Sequence, residues 1–293
     1  MRILILGASG YAGACIKENL EKGNSSVFGT YRTNKAGYER DKTMLYYSLD
    51  DRQRLAHILQ ELSPDVIISC LTGEFGLQLE AHRMAAEFLN ANGGRMIYLS
   101  TSNVFDGALD AVHYETDQPS AESGYGKFKM QCEELLQSVL GESCVIIRIP
   151  EFWGSNCPRL IKLVESVQNS VPIHTYKNLY VNYTTNLRIA EWISCILNQG
   201  LKGVFHAGTD DIYEYAAFHE ELINALHLGT PVFETVMCET PLYQAVLPGR
   251  DEIPASCRFR VQDVIRDLAE DWRTQIKTES TAGTGWQLQE ENS

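Results

Sequence analysis

Tyr125 and Lys129 stand four residues apart, a spacing that puts both on one face of a helix. An ammonium beside a phenol favours the phenolate and lowers its pKa, which makes Tyr125 a usable proton donor to a carbonyl during hydride transfer. Lys129 can hydrogen-bond a cofactor ribose from the same position. Spacing alone discriminates little, since Tyr31/Lys35 and Tyr38/Lys42 share it. Those two pairs fall in the loop after the second predicted strand, whereas Tyr125/Lys129 lies on a predicted helix after the fifth. Thr101, at the end of the fifth strand, can donate a hydrogen bond that polarises the same carbonyl. A structural Tyr–Lys pair and a turn threonine are the plainer readings. Only the conjunction makes a site.

A second chemistry lies near the start of the chain. The run Gly7-Ala8-Ser9-Gly10-Tyr11-Ala12-Gly13 follows an apolar strand and opens a helix. In that context Gly7 allows a tight turn, Gly10 lets the backbone approach a pyrophosphate, and Gly13 lets helix and strand close together. Exposed N–H groups and the helix dipole then favour a diphosphate. Gly7, Ser9, Gly10, Tyr11, Ala12 and Gly13 are therefore candidate cofactor-binding residues. A glycine-rich turn without ligand is the alternative. At the end of the second strand an NAD site normally offers a carboxylate to the ribose hydroxyls. This chain has Tyr31-Arg32-Thr33-Asn34-Lys35 instead. Arg32 can clamp a 2′-phosphate with its planar guanidinium, so NADP is the expected cofactor and NAD the alternative.

Composition excludes several classes. The chain has 293 residues, 25 basic against 38 acidic side chains, and a net charge of -13. That balance argues against nucleic acid, whose phosphates need clustered Lys and Arg. No apolar run reaches the ~18 residues of a membrane span. The short opening apolar run lacks the form of a secretory signal, so a cytoplasmic location is expected. The eight cysteines are scattered, with no C-x-x-C pair, and the seven histidines form no cluster. No metal site is expected, and the thiols read as structural in a reducing compartment.

The elements that must position these residues alternate through the first half. Strands are predicted at Arg2–Leu6, Ser26–Tyr31, 44–47, 66–68, 95–100 and Cys144–Ile149, with helices at 14–22, 51–62, 78–90 and 121–140. This rhythm predicts an α/β fold, a Rossmann-type doubly wound parallel sheet, with ligands at the edge where the strands end. Residues 1–150 form the expected dinucleotide-binding domain. Residues 151–277, punctuated by proline, form a smaller, loop-rich substrate-binding part with helices near 159–168, 185–198 and 215–226, some segments returning to the first domain. Residues 278–293 are polar and expected to be disordered.

The chain resembles the extended short-chain dehydrogenase/reductase superfamily, and within it the dTDP-4-dehydrorhamnose reductase family of sugar-nucleotide-binding proteins. Residues 5–13, 49–50 with 63–68, 98–107 and 125–127 carry the resemblance, with weaker likeness at 147–150, 153–154 and 203–208. The resemblance implies reduction of a keto sugar attached to a nucleoside diphosphate, with Thr101, Tyr125 and Lys129 as the catalytic group. It also implies Asp50 beside the adenine, and Cys70, Leu71 and Thr72 along the cofactor ribose and phosphates. A homodimer is compatible with it. The chain departs from the family where Ser102-Asn103 replaces an Asp-Tyr pair and where His82 replaces an asparagine. In the segment expected near substrate, Tyr183 and Arg188 stand for a proline and an aspartate, while Thr184 matches.

Three functions compete. The first is a reductase with Tyr125 as proton donor. The second is a sugar-nucleotide epimerase or dehydratase; Ser102 after Thr101, where a dehydratase carries an acid, counts against dehydration. The third is a non-catalytic dinucleotide-binding regulator. The regulatory subunit of methionine adenosyltransferase resembles the same family and is similar at Arg148-Ile149-Pro150.

Overall fold

The computed structural model describes residues 1–33 and 37–281, with residues 276–281 described by backbone alone. Asn34, Lys35 and residues 282–293 lie outside the described residues.

In chain order the first half comprises β1 (Arg2–Leu6), α1 (Tyr11–Glu21), β2 (Ser26–Tyr31), β3 (Met44–Tyr46), α2 (Arg52–Leu62) and β4 (Val66–Ser69). Then come α3 (Phe75–Asn92), β5 (Arg95–Thr101), α4 (Gly124–Leu140) and β6 (Cys144–Ile149). The second half contains β7 (Glu151–Trp153), α5 (Pro158–Gln168), β8 (Ile173–Val181), β9 (Tyr183–Thr185), α6 (Asn186–Gln199) and β10 (Gly203–His206). It ends with β11 (Tyr213–Glu214), α7 (Tyr215–Ala225), β12 (Phe233–Gln244) and α8 (Val261–Thr281). Residues 278–281 of the expected tail thus continue α8.

Seven strands form one parallel sheet in the order β10-β6-β5-β4-β1-β2-β3. The strand interiors are mostly apolar because both sheet faces are covered. Ile3, Ile5, Ile68, Ile97 and Ile147 enter one apolar cluster, while Leu4, Leu6, Ile67, Met96 and Ile146 enter the other. On the first face lie α1 and α6, through Ile16, Leu20, Ile189 and Ile193. On the second lie α2, α3 and α4, through Leu55, Ile58, Ala85, Leu89 and Leu136. This is a Rossmann-type doubly wound fold. Its strand order reverses between β1 and β4, which opens a crevice at their carboxyl ends.

The second half holds more strand than the sequence predicts. β11, β8 and β12 form a separate small sheet, β7 pairs with β9, and β10 joins the main sheet beside β6. The reason is visible in β12: its residues are mostly exposed, and Pro241 interrupts it. No alternation of apolar and polar residues announces such a strand.

Candidate active site

The glycine loop closes tightly over the end of β1. Gly7 adopts φ +83°, and a Cβ there would stand 2.7 Å from the Cys70 carbonyl oxygen. A Cβ on Gly13 would meet the Gly7 carbonyl oxygen at 2.4 Å, so only glycine lets α1 start this close to the turn. Gly7 N–H donates to the Thr30 hydroxyl and Ser9 N–H to the Thr30 carbonyl, which ties the loop to β2. Gly10 caps α1 and brings no side-chain acceptor. The N–H groups of the first turn, at Tyr11, Ala12 and Gly13, therefore have no partner within the helix. A loop drawn under the strand with an open helix N-terminus fits a dinucleotide diphosphate. The Tyr11 side chain turns elsewhere: its hydroxyl donates to the Trp153 carbonyl at 2.9 Å and its ring packs on Phe152.

The other expected cofactor residues follow the ends of β2, β3 and β4. Cys70 N–H donates to the Leu6 carbonyl, extending β4 beside β1, and burial pushes its thiol up to about 12. Gly73 lies against Leu49, which brings the segment carrying Asp50 beside the segment carrying Leu71 and Thr72. Asp50 is exposed and accepts from the Ser48 hydroxyl at 2.5 Å, which lowers its pKa. Arg32 is exposed beyond β2, and no carboxylate accompanies it in Tyr31-Arg32-Thr33.

Thr101, Tyr125 and Lys129 meet where β5 and α4 begin to diverge. Asp106 accepts from the N–H groups of Glu122 and Ser123, and the Ser123 hydroxyl in turn accepts from Gly126 N–H as the cap of α4. A Cβ on Gly126 would lie 2.3 Å from the Asn103 carbonyl oxygen. Glycine beside Tyr125 therefore lets the helix start press against the turn that follows Thr101. The sequence resemblance included Gly126 without its reason. Lys129 is 7% exposed; its Nζ donates to the Leu99 carbonyl at 2.8 Å. That nitrogen stands 4.7 Å from the Tyr98 ring centroid and 5.9 Å from that of Tyr125.

The electrostatics correct one expectation. Burial raises the Tyr125 pKa, and hydrogen bonding with Thr101 only partly opposes that. Burial also lowers Lys129 to about 8, so the ammonium expected to lower Tyr125 is itself disfavoured in the isolated chain. The Thr101 hydroxyl donates to Asn103 Oδ1 at 3.0 Å and accepts from Asn103 N–H. Asn103, the unusual residue of the loop, is thus the present partner of the threonine.

Sequence reasoning missed two buried networks behind this group. Glu133 accepts from the Ser100 hydroxyl at 2.5 Å and from Arg148 at 2.8 Å, clamping β5, α4 and β6 together. His82 meets the Ser69 hydroxyl at 2.7 Å and Cys132 at 3.6 Å, and burial lowers its pKa to about 3. Each network joins residues from three elements, so no local motif signals it. Two other departures make contacts within the second half. Tyr183 is fully buried and stacks on Phe218, and Arg188 pairs with Asp267 at 2.6 Å. Among the described residues, no group of three or more His, Cys, Asp or Glu could hold a metal ion, and no helix is long and apolar enough to cross a membrane.

Comparison with known proteins matches residues 1–278 to the family described as RmlD substrate binding domain. Methionine adenosyltransferase 2 subunit beta of Danio rerio is 27% identical over 227 residues, covering 70% of this chain and 68% of the relative. The dTDP-4-keto-6-deoxy-D-glucose reductase of Streptomyces niveus is 25% identical over 240 residues, covering 76% and 79% respectively. Among solved structures, dTDP-4-dehydrorhamnose reductase from Bacillus anthracis in complex with NADP superposes with a TM-score of 0.74 at 18% identity. That superposition covers 91% of this chain and 96% of the other.

Proposed function

The chain belongs to the RmlD substrate-binding-domain family, and from that premise we propose that it is an NAD(P)H-dependent reductase of a keto sugar nucleotide. The convergence of Thr101, Tyr125 and Lys129, on a sheet whose first strand ends in the glycine loop, supports this reading. NADP is the expected cofactor, which Arg32 and the NADP complex of the Bacillus anthracis reductase support, with NAD the alternative.

A bound nicotinamide supplies the hydride. Gly7, Gly10 and Gly13 bring the loop backbone up to the diphosphate, and Arg32 takes the 2′-phosphate. Lys129, anchored on the Leu99 carbonyl, would offer its remaining N–H groups to the ribose. Thr101 turns from Asn103 to the substrate carbonyl and polarises it. Tyr125 holds the proton that the carbonyl oxygen receives, and its raised pKa keeps that proton in place until charge develops.

The test is NADPH oxidation with a panel of 4-keto sugar nucleotides. Reduction of at least one member is expected, and Tyr125→Phe should lower the rate by about 100-fold or more while cofactor affinity holds. A phenylalanine variant as fast as wild type removes Tyr125 from the mechanism. The relationship to a methionine adenosyltransferase subunit supports a second reading, a dinucleotide-binding subunit of another enzyme. Cofactor binding without reduction of any panel member would favour it.

A further inference from the structure

We propose that Phe75 is a specificity-determining residue of the substrate site, an aromatic wall that takes the C–H face of the keto-sugar pyranose. This inference rests on the reductase reading above. Phe75 is the first residue of α3 and is 41% exposed. The position is rigid. The Glu74 carboxylate accepts from Gly76 N–H at 2.9 Å and Leu77 N–H at 2.6 Å, and the Gln78 side chain donates to the Gly73 carbonyl at 2.8 Å.

One face of the Phe75 ring is already occupied. It lies parallel to Phe128, 4.3 Å between centroids and 3° between planes, and Phe128 is itself 4% exposed. The Phe75 ring stands 6.3 Å from the Tyr125 ring, on α4, and Tyr125 is 43% exposed. Two large, partly exposed aromatic residues thus stand side by side, one of them the proposed proton donor.

Tyr125 must come within hydrogen-bond reach of the ketone oxygen, and that ketone belongs to the sugar ring. An aromatic ring one contact distance from Tyr125 borders the same sugar. A pyranose presents weakly positive C–H edges, which suit the negative face of an aromatic ring. An apolar wall beside a few polar groups is also the ordinary construction of a small-molecule site. Thr101 and Tyr125 then read the oxygen, and Phe75 reads the ring that carries it.

Phe75→Leu keeps apolar bulk and removes the aromatic face, while Phe75→Tyr keeps the face. With NADPH saturating, Phe75→Leu should raise KM for the keto sugar nucleotide by about tenfold or more, with kcat within about twofold. Phe75→Tyr should restore the wild-type KM, and both variants should keep wild-type NADPH affinity and thermal midpoint. An unchanged KM in Phe75→Leu overturns the assignment. So does a loss in Phe75→Tyr equal to that in Phe75→Leu, or a loss of NADPH affinity that accounts for the change. A wild-type protein that reduces no keto sugar nucleotide sinks the reductase reading and this wall with it.

Discussion

Lys129 concentrates the chemistry of this site in one atom. Its ammonium is buried against Tyr98 and Tyr125, with Cys132 and Glu133 on the same helix, Cys70 after β4 and His82 on α3 nearby. Burial outweighs the groups that favour its charge and sets the pKa at about 8 against an ordinary 10.5. The kcat/KM profile reports groups of the free enzyme. It should therefore fall as pH rises through about 8, where Lys129 loses its proton. Stability runs the other way. Between about 8 and 10.5 the unfolded chain binds more protons than the folded one, so stability rises with pH across that window. Denaturant midpoints compared at the two ends, for wild type and Lys129→Met, check this. A slope that survives in Lys129→Met would assign it to another group.

Elements place these atoms through close approaches that only glycine permits. Gly13 lets α1 begin under the turn, and Gly126 lets α4 begin against the turn after Thr101. Gly13→Ala would force a methyl to 2.4 Å from a backbone oxygen, which no flexible side chain can relieve. The helix start must shift, carrying the first-turn N–H groups away from the diphosphate. NADPH affinity should fall by about tenfold or more, since the bound geometry of several donors changes together. Gly10→Ala is the comparison: its methyl would lie 3.2 Å from the same oxygen, and its loss should be smaller. Titration of NADPH fluorescence measures both, and equal affinity in Gly13→Ala would refute the close-approach account. The buried Ser100–Glu133–Arg148 network works at the same scale. It ties β5 and β6 to α4, and so holds the strand end that carries Thr101 against the helix that carries Tyr125.

Segments of the second half pack into the main sheet and its helices. β10 completes the main sheet beside β6, and α6 covers the same face as α1. Arg95 on β5 donates to the Leu201 carbonyl, and Ser194 on α6 donates to Asn19 on α1. A fragment of residues 1–150 would expose the apolar face that α6 covers and leave β6 as an open edge. We expect the full chain to unfold in one cooperative transition, and the 1–150 fragment to show none. Calorimetry and urea titration decide this. A fragment that melts cooperatively on its own would show that the first half is self-sufficient.

The parallel sheet and the glycine loop were legible in the residues because each is set by local chemistry. Apolar strand runs follow from a sheet covered on both faces, and Gly13 answers a backbone constraint a few residues away at Gly7. The Tyr125/Lys129 pair emerged once its place in the order of elements separated it from two look-alikes. Tertiary structure alone decided how deeply Lys129 is buried, what Asn103 bonds to, and that Tyr183 stacks on Phe218 and Arg188 pairs with Asp267. It alone brought Phe75 beside Tyr125 across 6.3 Å. Burial and contact between residues distant in the chain depend on how helices from opposite ends of a motif close on one another, and composition and spacing carry no measure of that distance.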